Sequence, residues 1–159
     1  MTIPESSVTF RQAQRADIPR MFAIWSIESG EGGTSLERMA GYFDGLHSPQ
    51  RALRPRVIFL AEEGDSLLGY IAGHLTRRFD CDGELEWLYV IPARRRSGIA
   101  CGLMPCLATW FQQQNAARVC VNVAAENTPA VHFYAKHGAS PMKPGWMLWE
   151  YITKSVAIR

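Results

Sequence analysis

The segment Leu85–Ala100, LEWLYVIPARRRSGIA, joins an apolar strand to a helix through a basic turn that contains glycine. The first N–H groups of a helix have no partner within the helix, and the helix dipole is positive at that end, so both attract phosphate. Gly98 allows the backbone to approach such a group closely, and the arginines of the turn add positive charge. The segment therefore predicts a phosphate site, with a solvated surface loop as the alternative.

A second segment, Asn127–Gly138, has the pattern of a short helix. Thr128 is its predicted N-cap, Pro129 takes the first helical position, and Gly138 ends it. Either segment alone is a weak indication of function. The two together, at this separation and on these elements, form a much more specific pattern.

This pair of segments resembles the two cofactor motifs of the GNAT superfamily of N-acetyltransferases. The first family motif is Gln/Arg-x-x-Gly-x-Gly/Ala, and Arg95, Gly98 and Ala100 stand in the matching places. The order of the other elements agrees, so the resemblance covers nearly all of the chain. It implies acetyl-coenzyme A (acetyl-CoA) as the acetyl donor and a primary amine as the acceptor, with direct attack in a ternary complex.

The resemblance also implies where the cofactor lies. In the family it occupies a cleft between two splayed strands, here those that end at Val90 and near Ala124. Backbone donors of the basic turn would hold the pyrophosphate, and strand main chain would pair with the pantetheine arm. Asn127 would contact the pantetheine or cap its helix. The implied cofactor-binding residues are Leu88, Val90, Arg95, Arg96, Ser97, Gly98, Ile99, Ala100, Asn127 and Ala130.

Acetyl transfer also needs an acid for the departing thiolate and a base for the amine. Tyr134 matches the tyrosine of the family and could protonate the thiolate; a core aromatic residue is the alternative interpretation. Period-two alternation places Glu84 and Glu86 on one strand face. The same alternation adds Leu88 and Val90, which should meet the cofactor, to that face. Glu86 is the first candidate base and Glu84 the second, with water as a further alternative.

The acceptor site is expected at the mouth of the cleft. By resemblance it is built from the Glu28–Thr34 loop and from C-terminal strands that carry Trp146 and Trp149. Acidic residues of that loop could attract a cationic amine, although such residues are mostly solvated. His74 is interpreted mainly as a packing residue. The acceptor itself stays open between a small-molecule amine and a peptide amine.

The predicted elements define a mixed α/β fold. Strands are expected at residues 8–11, 57–62, 66–77, 84–90 and 118–124, with one or two more within 142–153. Helices are expected after Asp17 as N-cap, from about Ser35, over 98–114 and over 128–137. Residues 47–56 form a predicted connection. The pattern matches a GNAT-like acyl-CoA N-acyltransferase fold, with a central mixed sheet of six or seven strands and about four helices on both faces.

Composition limits the class of protein. The chain has 159 residues, of which 47% are hydrophobic and 20% charged, with a formal net charge of +2. These values predict a single domain over residues 1–159 and give no basis for binding nucleic acid. No apolar run would span a membrane and no secretory signal pattern is present, so we expect a cytoplasmic protein. The cysteines lack zinc-ligand spacing, and no metal is expected. Monomer and homodimer are both open, and a non-catalytic acyl-CoA-binding module is the alternative function.

Overall fold

The computed structural model describes residues 7–29 and 35–156, and the strands in these ranges form one mixed sheet. They are β1 Thr9–Gln12, β2 Ala52–Glu63, β3 Ser66–Thr76, β4 Gly83–Val90, β5 Val119–Asn122, β6 Ser140–Lys143 and β7 Trp146–Trp149. Their order across the sheet is β1-β2-β3-β4-β5-β7-β6. Strands β4 and β5 pair in parallel, and the other neighbours in this order pair antiparallel. The predicted mixed sheet of six or seven strands is confirmed.

Helices cover both faces of this sheet. They are α1 Ile18–Ser29, α2 Leu36–Asp44, α3 Ile99–Gln113, α4 Thr128–Lys136 and α5 Ile152–Ser155. On one face α1 and α2 bury Met21 and Met39, and on the other face α3 buries Leu107 and Phe111. Because β3 lies between the two layers, residues 67–74 are all buried, which explains their nearly continuous apolar sequence. In the described ranges, no helix is long and apolar enough to cross a membrane.

The start of α1 differs from the prediction. Asp17 ends a short 3-10 turn before α1, and its carboxylate accepts a hydrogen bond from the Gln14 N–H at 2.8 Å rather than from the helix. The same carboxylate forms ion pairs with Arg11 at 2.8 Å and Arg20 at 3.1 Å. Asp17 is therefore not the N-cap of α1, because two arginines and an upstream N–H take up its oxygens.

The start of α4 also differs by one residue. Asn127 rather than Thr128 is the N-cap, and its side-chain oxygen accepts a hydrogen bond from the Ala130 N–H at 3.3 Å. Both residue types cap helices well, so sequence preference alone does not separate them. Pro129 still falls within the first two helical positions, where its missing N–H costs nothing.

The strand β2 is longer than predicted because it includes part of the segment assigned to a connection. It begins at Ala52, although Pro55 cannot donate a ladder hydrogen bond. The β2–β3 register shifts between Ala52 and Arg56, so the irregularity spans the proline. The rest of β2 forms the expected hairpin with β3 around the turn at Gly64 and Asp65.

The contact between α3 and the sheet depends on glycine in the strands. A Cβ on Gly83 would lie 2.3 Å from Cε1 of Phe111, and one on Gly73 would lie 2.8 Å from Cδ1 of Leu107. Real Cβ atoms do not approach carbon this closely, so either substitution would force the facing side chain of α3, or the helix itself, to shift. These two glycines therefore set the height of α3 above the centre of the sheet.

We predict that Gly83→Ala lowers the free energy of unfolding by about 1–3 kcal/mol through overpacking against Phe111. Phe111→Leu alone should also destabilise, because it leaves a cavity in the core. The free energy of unfolding of the double variant should fall by less than the sum of the two single decreases, because the shorter side chain makes room for the new methyl group. Urea unfolding of the four proteins measures this coupling. Strictly additive losses would contradict the proposed contact.

Candidate active site

The parallel contact between β4 and β5 is short and ends where the two strands separate. The pairs are Gly83 with Val119, Glu84 with Cys120, and Leu85 with Val121. Beyond Leu85, β4 continues to Val90 with no pairing to β5 among the described residues. A cleft therefore opens between the two strands, as the family resemblance implies for the strands that end at Val90 and near Ala124.

The main chain of β4 presents free groups to this cleft. Ile91 donates its N–H to the carbonyl oxygen of Leu68 at 2.9 Å, on the β3 side. In an antiparallel ladder the residues that bond to one neighbour alternate, so Tyr89 also bonds to β3. Leu88 and Val90 consequently direct their N–H and C=O groups away from β3, into the cleft. These are two of the predicted cofactor-binding residues.

The N-terminus of α3 lies directly beyond this strand and has no side-chain cap. Gly98 is the N-cap, with a φ of +88° that favours glycine. Helix geometry leaves the N–H groups of Ile99, Ala100 and Cys101 without an acceptor inside the helix, and the first closing bond runs from Gly102 to Gly98. The Ser97 hydroxyl turns back to the carbonyl oxygen of Arg94. The turn can thus offer backbone donors to an anion.

Two of the three arginines in this turn already have carboxylate partners. Arg94 forms an ion pair with Glu63, with 3.0 Å between nitrogen and oxygen. Arg95 forms a second ion pair, at 2.7 Å, with Glu28, which lies at the C-terminal end of α1. Arg96 is exposed and forms no ion pair within the described residues. In this conformation, therefore, the turn exposes one unbalanced guanidinium rather than the three that the sequence contains.

Tyr134 lies on α4 with only 7% of its surface exposed. Its ring packs edge-on against Trp149, with 5.6 Å between the centroids. Burial raises the pKa of Tyr134 to about 12, so the phenol keeps its proton at neutral pH. Trp149 is fully buried and donates its indole N–H to the carbonyl oxygen of His137 at 3.0 Å. Core packing thus encloses the Trp149 side chain, so it is not itself available to a ligand.

A β-bulge at Glu86 changes the side-chain order of β4. Ala72 pairs with Trp87 and Gly73 with Leu85, so Glu86 is an extra residue in its strand. The bulge reverses the alternation. The predicted face shared by Glu84, Glu86, Leu88 and Val90 is therefore wrong, since Leu88 and Val90 pack with the α3 layer whereas Glu84 contacts His74 near the α2 layer.

The two carboxylates nevertheless lie together. Oxygens of Glu84 and Glu86 and a ring nitrogen of His74 all lie within 4.8 Å of one another. Glu84 is 3% exposed. Burial and the neighbouring Glu86 raise the pKa of Glu84 to about 8, so its neutral form is favoured near neutral pH. Arg78 lies 3.4 Å from Glu84 and adds a positive charge that opposes the binding of a metal cation by these three residues.

His74 connects this pair to α2. Its Nδ1 lies 2.8 Å from the Tyr42 hydroxyl, and its Nε2 lies 3.7 Å from Oε2 of Glu84. That Nε2 is buried without a hydrogen-bond partner in the described ranges. Burial, together with Arg56 and Arg78, lowers the pKa of His74 to about 3, so the imidazole is neutral. His74 is thus more than a packing residue, because it contacts the carboxylate site.

A pocket of about 480 Å³ adjoins the carboxylate pair at the end of the β4–β5 contact. It combines acidic, basic and aromatic side chains. Its lining residues are Arg38, Tyr42, His47, Ser48, Pro49, Arg78, Glu84, Leu85, Glu86, Trp87, Asn122 and Trp146. Trp146 was expected at the acceptor site and lies here. In contrast, Glu28 pairs with Arg95, and residues 30–34 of the expected acceptor loop lie outside the described residues.

Sequence reasoning missed the contributions of α2, of the 47–49 segment and of Arg78. These residues are far from β4 in the chain and belong to no short motif. Tyr42 lies on the helix predicted from about Ser35, three residues after the buried Met39, and this helical spacing was the available signal for it. Arg78 follows directly on a predicted inner strand, which was the available signal that its side chain lies near the sheet edge.

Comparison with known proteins places these features in a family. Residues 21–139, well over half of the chain, match the family model described as the acetyltransferase (GNAT) family. Uncharacterized N-acetyltransferases of Mycobacterium tuberculosis and Mycobacterium bovis are each 33% identical over 108 residues, which is 68% of this chain and 63% of the relative. The match thus spans less than two thirds of the length of those relatives.

Solved structures agree in fold. A PaiA N-acetyltransferase from Thermoplasma acidophilum, solved in complex with coenzyme A, aligns with a TM-score of 0.67 at 14% identity, covering 91% of this chain and 99% of that chain. A spermidine N-acetyltransferase from Vibrio cholerae aligns with a TM-score of 0.67 at 15% identity, covering 96% and 98%. At such identities the likeness concerns the fold alone, and it confirms the predicted fold class. The family match and the shared fold lead to one conclusion: the chain belongs to the GNAT family of acetyltransferases.

Proposed function

We propose that this protein is an N-acetyltransferase that moves the acetyl group of acetyl-CoA to a primary amine by direct attack in a ternary complex, within one catalytic domain and without a metal. The observation that carries the proposal is the separation of β4 from β5 beyond Leu85, directly before the uncapped start of α3. The strand main chain on one side of this cleft suits the pantetheine arm of the donor, and the helix N–H groups at its end suit the pyrophosphate. The neighbour solved with coenzyme A supports this assignment.

The chain holds the donor mainly through its backbone. Leu88 and Val90 would bond to the pantetheine amides as an added strand would, and the N–H groups of Ile99 and Ala100 would bind the pyrophosphate. The donor supplies a thioester carbonyl, which a free N–H of β4 would polarise. Arg95, Arg96 and Ser97 shape the turn around the phosphates. Ala130 and the N-cap Asn127 would position the start of α4 beside the cofactor.

Glu86 is the proposed base for the amine. Glu84 is buried and favours its neutral form, so Glu86 is the carboxylate that remains to take a proton from the amine. Its position in the bulge brings it to the pocket wall beside the end of the cleft. Tyr134 would donate a proton to the departing sulfur, for which its raised pKa keeps it protonated.

A binding prediction concerns Gly98. Gly98→Ala should remove most of the rise in melting temperature that coenzyme A causes in the parent protein, because the methyl group stands where the pyrophosphate approaches. Gly45→Ala is the matched control: both glycines have positive φ, +88° and +78°, and in both cases nothing lies within 4 Å of an added Cβ. Each variant should lose about 1–2 kcal/mol of stability from the left-handed backbone. An equal coenzyme A shift in both variants would place the cofactor elsewhere.

A second prediction separates the two carboxylates. Glu86→Gln should lower kcat/KM by about 10²- to 10⁴-fold, most strongly at acidic pH where the amine arrives protonated. Glu84→Gln resembles the neutral form of Glu84 and should have the smaller effect at pH 7. In the parent protein the folded-state pKa of Glu84 is raised to about 8, so stability should fall as pH rises from about 4.3 toward 8. Glu84→Gln should flatten that decline in urea unfolding.

The opposite ranking of these two variants would make Glu84 the base. Full activity in both would leave deprotonation to solvent or to ordered water.

A third prediction concerns Tyr134→Phe. The ring and its packing on Trp149 remain, so the melting temperature should change little and coenzyme A should still bind. Turnover should fall by about 10²- to 10⁴-fold, as expected for loss of a positioned acid. Steady-state thiol release measures kcat and KM separately. A rise in KM with full kcat would mean that Tyr134 only shapes the cleft, and inactivity of the parent protein toward every amine would favour a non-catalytic acyl-CoA-binding module.

A further inference from the structure

Arg78 occupies a constrained position in the acceptor pocket. It lies in the 3-10 turn between β3 and β4, and its side chain is 16% exposed. The Nε donates to the carbonyl oxygen of Gln50 at 3.2 Å and lies 3.4 Å from Glu84. The guanidinium carbon stands 4.9 Å from the ring centroid of Trp146. These contacts on three sides fix the plane of the guanidinium.

The outer edge of this guanidinium is open. Neither Nη1 nor Nη2 of Arg78 has a hydrogen-bond partner in residues 7–29 and 35–156. Arg56, which lies over the ring of the neighbouring Tyr42, differs in this respect. Its three nitrogens bond to four carbonyl oxygens and one hydroxyl, those of Arg54, Tyr42, His47, Leu53 and Ser48. Arg56 is therefore a structural arginine, whereas Arg78 keeps a two-nitrogen fork for a ligand.

The charge around Arg78 is also incomplete. Glu84 is its nearest carboxyl group and favours the neutral form, because burial and Glu86 raise its pKa. A largely buried guanidinium gains less from a carboxyl group that favours its neutral form, and its two free N–H groups match a carboxylate well. Arg38 on α2 adds a second positive charge to the pocket lining. The pocket lining thus combines two arginines with Glu86.

We propose that the acceptor is a small amine that also carries a carboxylate, such as an amino acid, with the carboxylate paired to Nη1 and Nη2 of Arg78 and the amine directed toward Glu86. The inference rests on the proposed acetyl transfer and names its substrate class. A pocket of about 480 Å³ suits a ligand of this size. Polyamines and other purely cationic amines fit poorly, because Arg38 and Arg78 would repel them.

The test compares amines that differ only in the carboxylate. Each amino acid of a panel is assayed with acetyl-CoA beside its carboxamide and its decarboxylated amine, with thiol release as the readout. We expect kcat/KM to be about 10- to 100-fold higher for the acid, as for a charge-assisted pair. Arg78→Gln should reduce this ratio to near one, and Arg78→Lys should keep part of it, since it retains charge without the fork.

Arg77→Gln is the matched control, because Arg77 is exposed and does not line this pocket. It should leave the ratio unchanged. Equal or better activity with decarboxylated amines would overturn the proposal. An Arg78→Gln variant whose kcat/KM falls by the same factor for the acid, the carboxamide and the decarboxylated amine would also overturn it. A coenzyme A melting shift measured on each variant shows that it is folded.

Failure of the proposed function has a different signature. If no amine in the panel releases thiol, acetyl transfer to this class of acceptor fails as a function. Binding of the N-acetylated amino acid and of its carboxamide, measured by calorimetry in the presence of coenzyme A, then tests the pocket by itself. Preferential binding of the acid that Arg78→Gln abolishes would support the carboxylate site. No preference would overturn it.

Discussion

The whole architecture depends on how far β4 and β5 stay together. They share three residue pairs, which join an antiparallel four-strand part of the sheet to the three strands β5, β7 and β6. A longer contact would close the cleft and satisfy the main chain of Leu88 and Val90. A shorter one would leave the two parts of the sheet connected only by helix packing. The limited pairing is what allows a folded sheet to keep free backbone donors next to a helix N-terminus.

The bulge at Glu86 adds a second constraint on the same strand. One extra residue turns Glu84 toward His74 and Tyr42 while Leu88 stays with the α3 layer. The strand can therefore present main chain to the cleft on one stretch and carboxylates to the pocket on another. The cost is the burial of several polar groups, including Nε2 of His74, which has no hydrogen-bond partner among residues 7–29 and 35–156.

The features that the sequence predicts well are those coded by local pattern. The glycine turn at Gly98, the strands β2 and β3 and the helices α1 and α3 follow from spacing over a few residues. The bulge was not predictable in this way, because nothing in LEWLYV distinguishes a regular strand from one with an extra residue. Likewise the enclosure of Trp149 and the fork of Arg78 depend on contacts between distant segments, which periodicity does not encode.

The strand pairs of the sheet differ widely in how far apart their residues lie in the chain. β2 and β3 are joined by a tight turn, whereas Thr9 of β1 lies 53 residues from its partner Glu62, and Glu84 of β4 lies 36 residues from Cys120 of β5. Closing the longer loops reduces chain entropy before the stabilising contacts between these strands can form. We therefore expect the β2–β3–β4 meander to organise early in folding. The β4–β5 seam, and with it the cleft, would then be among the last parts of the molecule to assemble.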